Sequence, residues 1–189
     1  AVIEAPDINE SEALTRIEGK TLWLGWGLVK GIAQRTIQWV MEQRELALFR
    51  TIDDFCRRVP IGLEQLRLLI RVGGFRQLNP SKKELLWEAH LKYNRQPDLA
   101  TTGDLFELPD THFAYPTLSY DAMEDAYDEL ELLGFTLVSP FELVHEKPET
   151  SVFAANLSDW VGQMVTILGY YVTYKRTSTK KGEMMFFGY

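Results

Sequence analysis

The run Lys30-Gly31-Ile32-Ala33, with Arg35 just beyond it, holds the residue types that can grip a phosphate. Apolar residues precede it (Leu24, Leu28, Val29) and a helical apolar pattern follows it (Ile37, Val40, Met41), so residues 22–44 read as helix, tight turn, helix. Such a turn leaves the first backbone N–H groups of the second helix without partners. With the positive end of the helix dipole, those groups bind anions. A second glycine turn follows at Val72-Gly73-Gly74-Phe75, and Arg71, Arg76, Lys82 and Lys83 surround it as Lys30 and Arg35 surround the first. Each feature has a plainer reading. Gly25, Gly27 and Gly31 equally suit tight helix packing, and the cations equally suit a solvated face. Two such turns in one basic stretch suggest a tandem arrangement spanning a nucleic-acid backbone.

The other reactive side chains form no catalytic or metal-binding set. His90, His112 and His145 have no ligand-type spacing to one another or to Cys56. There is no phosphate loop, dinucleotide fingerprint or nucleophile elbow. Asp53-Asp54 and Glu124-Asp125 are carboxylate neighbours, and neighbours on a helix point apart. The chain therefore reads as a binding module with no catalytic residue and no metal ligand.

The elements that must position these turns follow from the pattern. Residues 1–19 have no sustained period and read as an extended leading segment, with Val2 and Ile3 as the end of a strand paired elsewhere. Residues 20–24 suit a short strand or the lead-in to the first helix. Thr51 or Asp53 caps a helix over Ile52–Val59, which Pro60 stops. Leu63, Leu66, Leu69 and Ile70 line one face of the next helix. Pro80 and Ser81 open another over Lys83–Tyr93, with Leu85, Leu86, Ala89 and Trp87 turned inward. Residues 94–118 are rich in Pro, Thr, Gly and Asp and read as a linker. In it, Leu105, Phe106 and Leu108 are either a staple onto the domain or a short motif for a partner's pocket.

Residues 119–133 are helical, and their six acids read as a solvated face, with Gly134 as the stop. Residues 163–174 are β-branched and aromatic and read as a strand, 175–182 as a basic turn, and 183–189 as a second strand. Two strands are not stable alone, so the chain is expected to be a piece of a longer protein.

Composition is that of an ordinary water-soluble protein, with 46 % hydrophobic and 25 % charged residues in 189. A lone cysteine, no apolar run of spanning length and no signal peptide lead to a cytoplasmic expectation, with no membrane partner. The net charge of −7 conceals a strong asymmetry. Residues 20–95 carry fourteen Lys and Arg against seven acids, or +7, whereas residues 96–162 carry one Lys against fourteen acids, or −13.

Several stretches carry a family resemblance: PDINES at 6–11, LWLGWGLVKGIA at 22–33, FRTIDDFCRRV at 49–59 and LIRVGGFRQL at 69–78. With LELLGFTLVSPFE at 130–142 and KRTSTKKGEMMFF at 175–187, these resemble the bacterial replicative DNA polymerase III alpha subunit, in the same order along the chain. The resemblance implies a mainly α protein. It contains a tandem helix-hairpin-helix domain over 20–93, the linker, an acidic helix and connector over 119–162, and the truncated first strands of an OB domain over 163–189. Residues 1–19 would lead in from the upstream polymerase region. The parent would be a Mg-dependent, DNA-directed DNA polymerase, a nucleotidyltransferase, whose catalytic carboxylates lie outside this chain. This part would need no cofactor.

The implied partners are duplex DNA, held without reading its sequence through Lys30, Gly31, Ile32, Ala33, Arg35, Arg71, Gly73, Gly74, Arg76, Lys82 and Lys83, and single-stranded DNA through the parent's complete OB domain. The implied alternative role is a replisome docking scaffold that binds the sliding clamp through Asp104, Leu105 and Phe106. Three departures from the family pattern are visible. Thr102 stands where a Gln is expected, Ala33 where a hairpin prefers glycine, and 138–141 lacks the usual His-Pro.

Overall fold

A computed structural model describes residues 2–94, 119, 121–146 and 152–188. It is mainly helical, with two small sheets, and its contacts divide the chain into two units, Ala1–Leu137 and Val138–Tyr189.

The first unit opens with a three-stranded sheet of β1 (Val2–Glu4), β2 (Arg16–Glu18) and β3 (Thr21–Trp23). β3 lies between the other two, parallel to β1 and antiparallel to β2, so the partner expected for Val2 and Ile3 is the stretch 21–23. The helix expected before the first turn is only a 3-10 turn, Trp26–Leu28. Glycine makes that course possible. A Cβ on Gly25 would stand 2.3 Å from the Leu14 carbonyl carbon, so the chain there lies directly against the leading segment. Gly25 and Gly27 thus serve close packing.

Five helices follow: α1 (Gln34–Leu46), α2 (Ile52–Arg58), α3 (Leu63–Arg71), α4 (Lys82–Asn94) and α5 (Ala122–Leu132). Thr51 caps α2 by accepting from the Asp54 N–H at 3.0 Å, and Ser81 accepts from the Glu84 N–H at 3.3 Å at the start of α4. Leu66, Leu69 and Ile70 are buried on α3, and Leu85 and Ala89 on α4, whereas Trp87 is 50 % exposed and does not turn inward.

The core gathers around Phe49, Phe55 and Phe75, whose rings meet edge to face at 4.9 Å in each successive pair. The PDINES stretch is sewn to this core. Asn9 exchanges two hydrogen bonds with the Phe49 backbone at 2.9 and 3.0 Å, and the Ile8 N–H donates to the Gly74 carbonyl at 2.9 Å.

The second unit has two 3-10 turns, Pro140–Leu143 and Ala154–Trp160, and an antiparallel hairpin of β4 (Tyr174–Ser178) and β5 (Met184–Gly188). The expected strand over 163–174 is corrected here: the strand begins where that stretch ends and takes in Lys175 and Arg176, leaving a shorter turn around Gly182. The apolar side chains of 163–173 find no pleated surface to cover, and Met164 is fully exposed. None of this unit's described residues is buried.

Candidate nucleic-acid interface

The two glycine turns look alike in sequence and differ in structure. At the first, Gly31 has φ of +82°, the left-handed region that favours glycine. Ala33 follows in extended backbone as the N-cap of α1, φ −70° and ψ 136°, so alanine there causes no strain. Among the described residues, no acceptor meets the N–H groups of Gly31, Ile32, Gln34 or Arg35. Lys30 and Arg35 are exposed on either side, and no described carboxylate pairs with them. The Arg35 guanidinium rests 4.7 Å over the Trp39 ring.

One side chain from α3 fixes this turn. Gln65 Oε1 accepts from the Ala33 N–H at 2.8 Å and from Thr36 Oγ1 at 3.2 Å, while its Nε2 donates to the Gly31 carbonyl at 3.0 Å. A single amide thus ties three points of the turn to the neighbouring helix. Sequence reading missed Gln65, because its partners lie some thirty residues away and a polar residue on a helix surface carries no local signal.

At the second turn the backbone donors are already occupied. The Gly73 N–H donates to the Ile70 carbonyl at 2.9 Å and the Gly74 N–H to the Leu69 carbonyl at 2.8 Å. With Gly73 at φ +84°, this is the Schellman pattern that closes a helix C-terminus. Both glycines are buried. A Cβ on Gly74 would stand 2.7 Å from the Leu69 carbonyl oxygen and 2.9 Å from the Trp26 ring, so this glycine is set by packing.

The cations around the second turn have protein partners. Arg76 donates to the Pro6 carbonyl at 2.8 Å and lies 3.5 Å from Glu4 and 3.6 Å from Asp7, clamping the leading segment. Burial raises the pKa of the Asp7 carboxyl, against the Asn9 N–H and Arg76, which lower it. Arg71 pairs with Asp128 at 2.7 Å and with Glu131. Lys82 pairs with Asp125 at 2.8 Å, and Lys83 with Glu124 at 2.8 Å. The acidic helix α5, expected as a solvated face, therefore lies with these carboxylates against the basic block. The Arg71 hydrogen bond holds the Glu131 carboxyl below its ordinary pKa.

Asp104, Leu105 and Phe106 lie outside the described residues. Among the described residues no group of three or more His, Cys, Asp or Glu could hold a metal ion, and no helix is long and apolar enough to cross a membrane.

Comparison with known proteins gives this geometry a context. Residues 1–85 match the helix-hairpin-helix motif family. The DNA polymerase III subunit alpha of Staphylococcus epidermidis is 28% identical over 155 residues, which is 76% of this chain and 14% of that protein. That of Pseudomonas fluorescens is 31% identical over 105 residues, 52% of this chain and 9% of that protein. An error-prone DNA polymerase of Corynebacterium efficiens is 28% identical over 102 residues, 54% of this chain and 9% of that protein. The chain thus spans no more than 14% of the length of these relatives. On these matches residues 1–85 are similar to the helix-hairpin-helix motif family, and the chain is similar to one segment of the DNA polymerase III alpha subunit.

Proposed function

We propose that this chain holds duplex DNA by its phosphodiester backbone, without reading base sequence, as the DNA-gripping part of a DNA-directed DNA polymerase. The observation that carries the reading is the first turn. Unpartnered N–H groups at the start of α1 stand between exposed Lys30 and Arg35, braced from α3 by Gln65. This donor set suits a phosphate oxygen, whereas base discrimination needs side chains presented to base edges. The relatives are polymerases by name, so nucleotide transfer and its Mg requirement are assigned to the remainder of the longer protein and backbone holding to this part.

The test is fluorescence anisotropy with two 20-base-pair duplexes of unrelated sequence at low salt. Both should bind alike, with affinity falling steeply as salt rises. Lys30→Glu with Arg35→Glu should abolish binding to both. Undiminished affinity in that double variant would overturn the proposal.

The second unit favours an additional contact. Tyr174 and Phe186 lie 5.9 Å apart, with Arg176 above both rings, and all three are exposed. Exposed aromatics beside a guanidinium suit stacking of unpaired bases. Tyr174→Ala with Phe186→Ala should weaken binding of a single-stranded oligonucleotide and leave duplex binding unchanged; equal losses on both would reject this contact.

A further inference from the structure

We infer that α5 is a built-in competitor for DNA, an acidic rod occupying the cations of the second hairpin. The inference rests on the proposal that the basic block binds a phosphate backbone. The carboxylates of Glu124, Asp125, Asp128 and Glu131 recur on one side of α5, over about 10 Å of helix. Each meets a cation. Glu124 lies on Lys83, Asp125 on Lys82, Asp128 on Arg71 at 2.7 Å and Lys82 at 4.0 Å, and Glu131 on Arg71.

The C-terminus of α5 reaches the first turn as well. The Leu132 carbonyl accepts from the Lys30 N–H at 2.8 Å, and the Lys30 ammonium lies 3.3 Å from where a Cβ on Gly134 would stand. A carboxylate row of this kind offers the cations what a phosphate row offers, negatively charged oxygen acceptors repeated along a rod. Its apolar anchors are Ala126, Leu132 and Leu133. The ion pairs themselves remain partly open to water, with side-chain exposures of 20–33 % for the three cations. A cleft of about 620 Å³ between the start of α4 and α5 admits a competing anion to Lys82 and Lys83. The fold therefore subtracts three phosphate contacts from a surface that the basic block otherwise supplies.

The experiment uses the full chain and the same duplexes. One variant carries Asp125→Asn, Asp128→Asn and Glu131→Gln. A control of equal charge carries Glu45→Gln, Glu142→Gln and Glu146→Gln, residues outside α5. The α5 variant should bind duplex DNA about tenfold more tightly than the control. Its plot of log affinity against log salt should be steeper by about 2, one increment for each released cation, Arg71 and Lys82. Adding Arg71→Gln, Lys82→Gln and Lys83→Gln should remove both gains. If the triple variant fails to fold by circular dichroism, Asp125→Asn alone should steepen the slope by about 1. Affinity and slope no different from the control would overturn the inference and leave the role of Lys30 and Arg35 intact. Binding by the α5 variant alone would support it as complete masking. No binding by either protein at low salt would overturn both readings.

Discussion

Gln65→Ala separates a braced phosphate turn from a merely basic surface. The substitution removes three hydrogen bonds, to the Ala33 N–H, Thr36 Oγ1 and the Gly31 carbonyl, and no charge. A typical intramolecular hydrogen bond contributes about 0.5–1.5 kcal/mol net, and these lie at a partly exposed site, so the brace is worth about 1–2 kcal/mol in total. Without it the turn relaxes in the unbound protein and must be reordered on binding. That cost corresponds to about a 5- to 30-fold loss of affinity for duplex DNA.

The salt dependence should be unchanged, because the number of phosphate-neutralising cations is the same. Lys30→Gln, by contrast, should lower the slope by about 1. Gln65→Glu adds a useful contrast. A carboxylate can still accept from Ala33 and Thr36, yet it cannot donate to Gly31 and it brings a negative charge to a phosphate site, so its loss should exceed alanine's. Anisotropy titrations at several salt concentrations read both quantities. Unchanged affinity in Gln65→Ala, or a slope change as large as that of Lys30→Gln, would refute the bracing argument.

Three further outcomes follow from the packing and the buried groups. Gly25→Ala places a Cβ 2.3 Å from the Leu14 carbonyl carbon and 2.5 Å from the Thr15 nitrogen, so thermal unfolding should show a loss of about 1–3 kcal/mol; an unchanged Tm would refute the close approach. Burial raises the Asp7 pKa above its unfolded value of 3.8, so the folded state binds that proton more readily, and this group's contribution to stability falls as pH rises from 3.8 through the folded value. In Asp7→Asn that component should vanish, making the slope of Tm against pH more positive than in the wild type just above pH 3.8; identical slopes would argue against a raised pKa. Burial pushes the Cys56 thiol up to about 11, so at pH 8 it should react with a disulfide reagent far more slowly in the native than in the denatured protein, and equal rates would contradict that environment.

The helices of the first unit were legible where one element supplies its own signal. Thr51 ahead of Ile52, Pro60 behind Val59, and the apolar face of Leu66, Leu69 and Ile70 all act within a few residues, and α2 and α3 lie where they indicate. The family resemblance added the expectation of a helix-hairpin-helix, and residues 1–85 match that motif family. The strand over 163–174 was misplaced because β-branched residues report a suitability for pleated surfaces, while a strand also needs a partner, and in the hairpin that pairing starts only at Tyr174 with Gly188.

The two glycine turns show why a set of open backbone donors is harder to read than a helix. Glycine at positive φ flanked by cations describes both, and both indeed have it, at Gly31 and Gly73. What differs is which helix end the glycine serves. Gly73 follows a nine-residue helix, whose last carbonyls take the N–H groups of Gly73 and Gly74. Gly31 follows only a 3-10 turn, too short to supply a matching set of carbonyls, and the donors ahead of α1 stay open. Helix length before the glycine therefore separates a closed cap at Gly73 from the open donors at Gly31. The same reasoning extends to charge. A row of acids spread along 119–133 reads as solvated as long as it is considered alone. Beside a block of +7 that must be folded against something, the −13 block is the available counter-charge. α5 meets it through Arg71, Lys82 and Lys83, leaving Lys30 and Arg35 as the cations at the open turn.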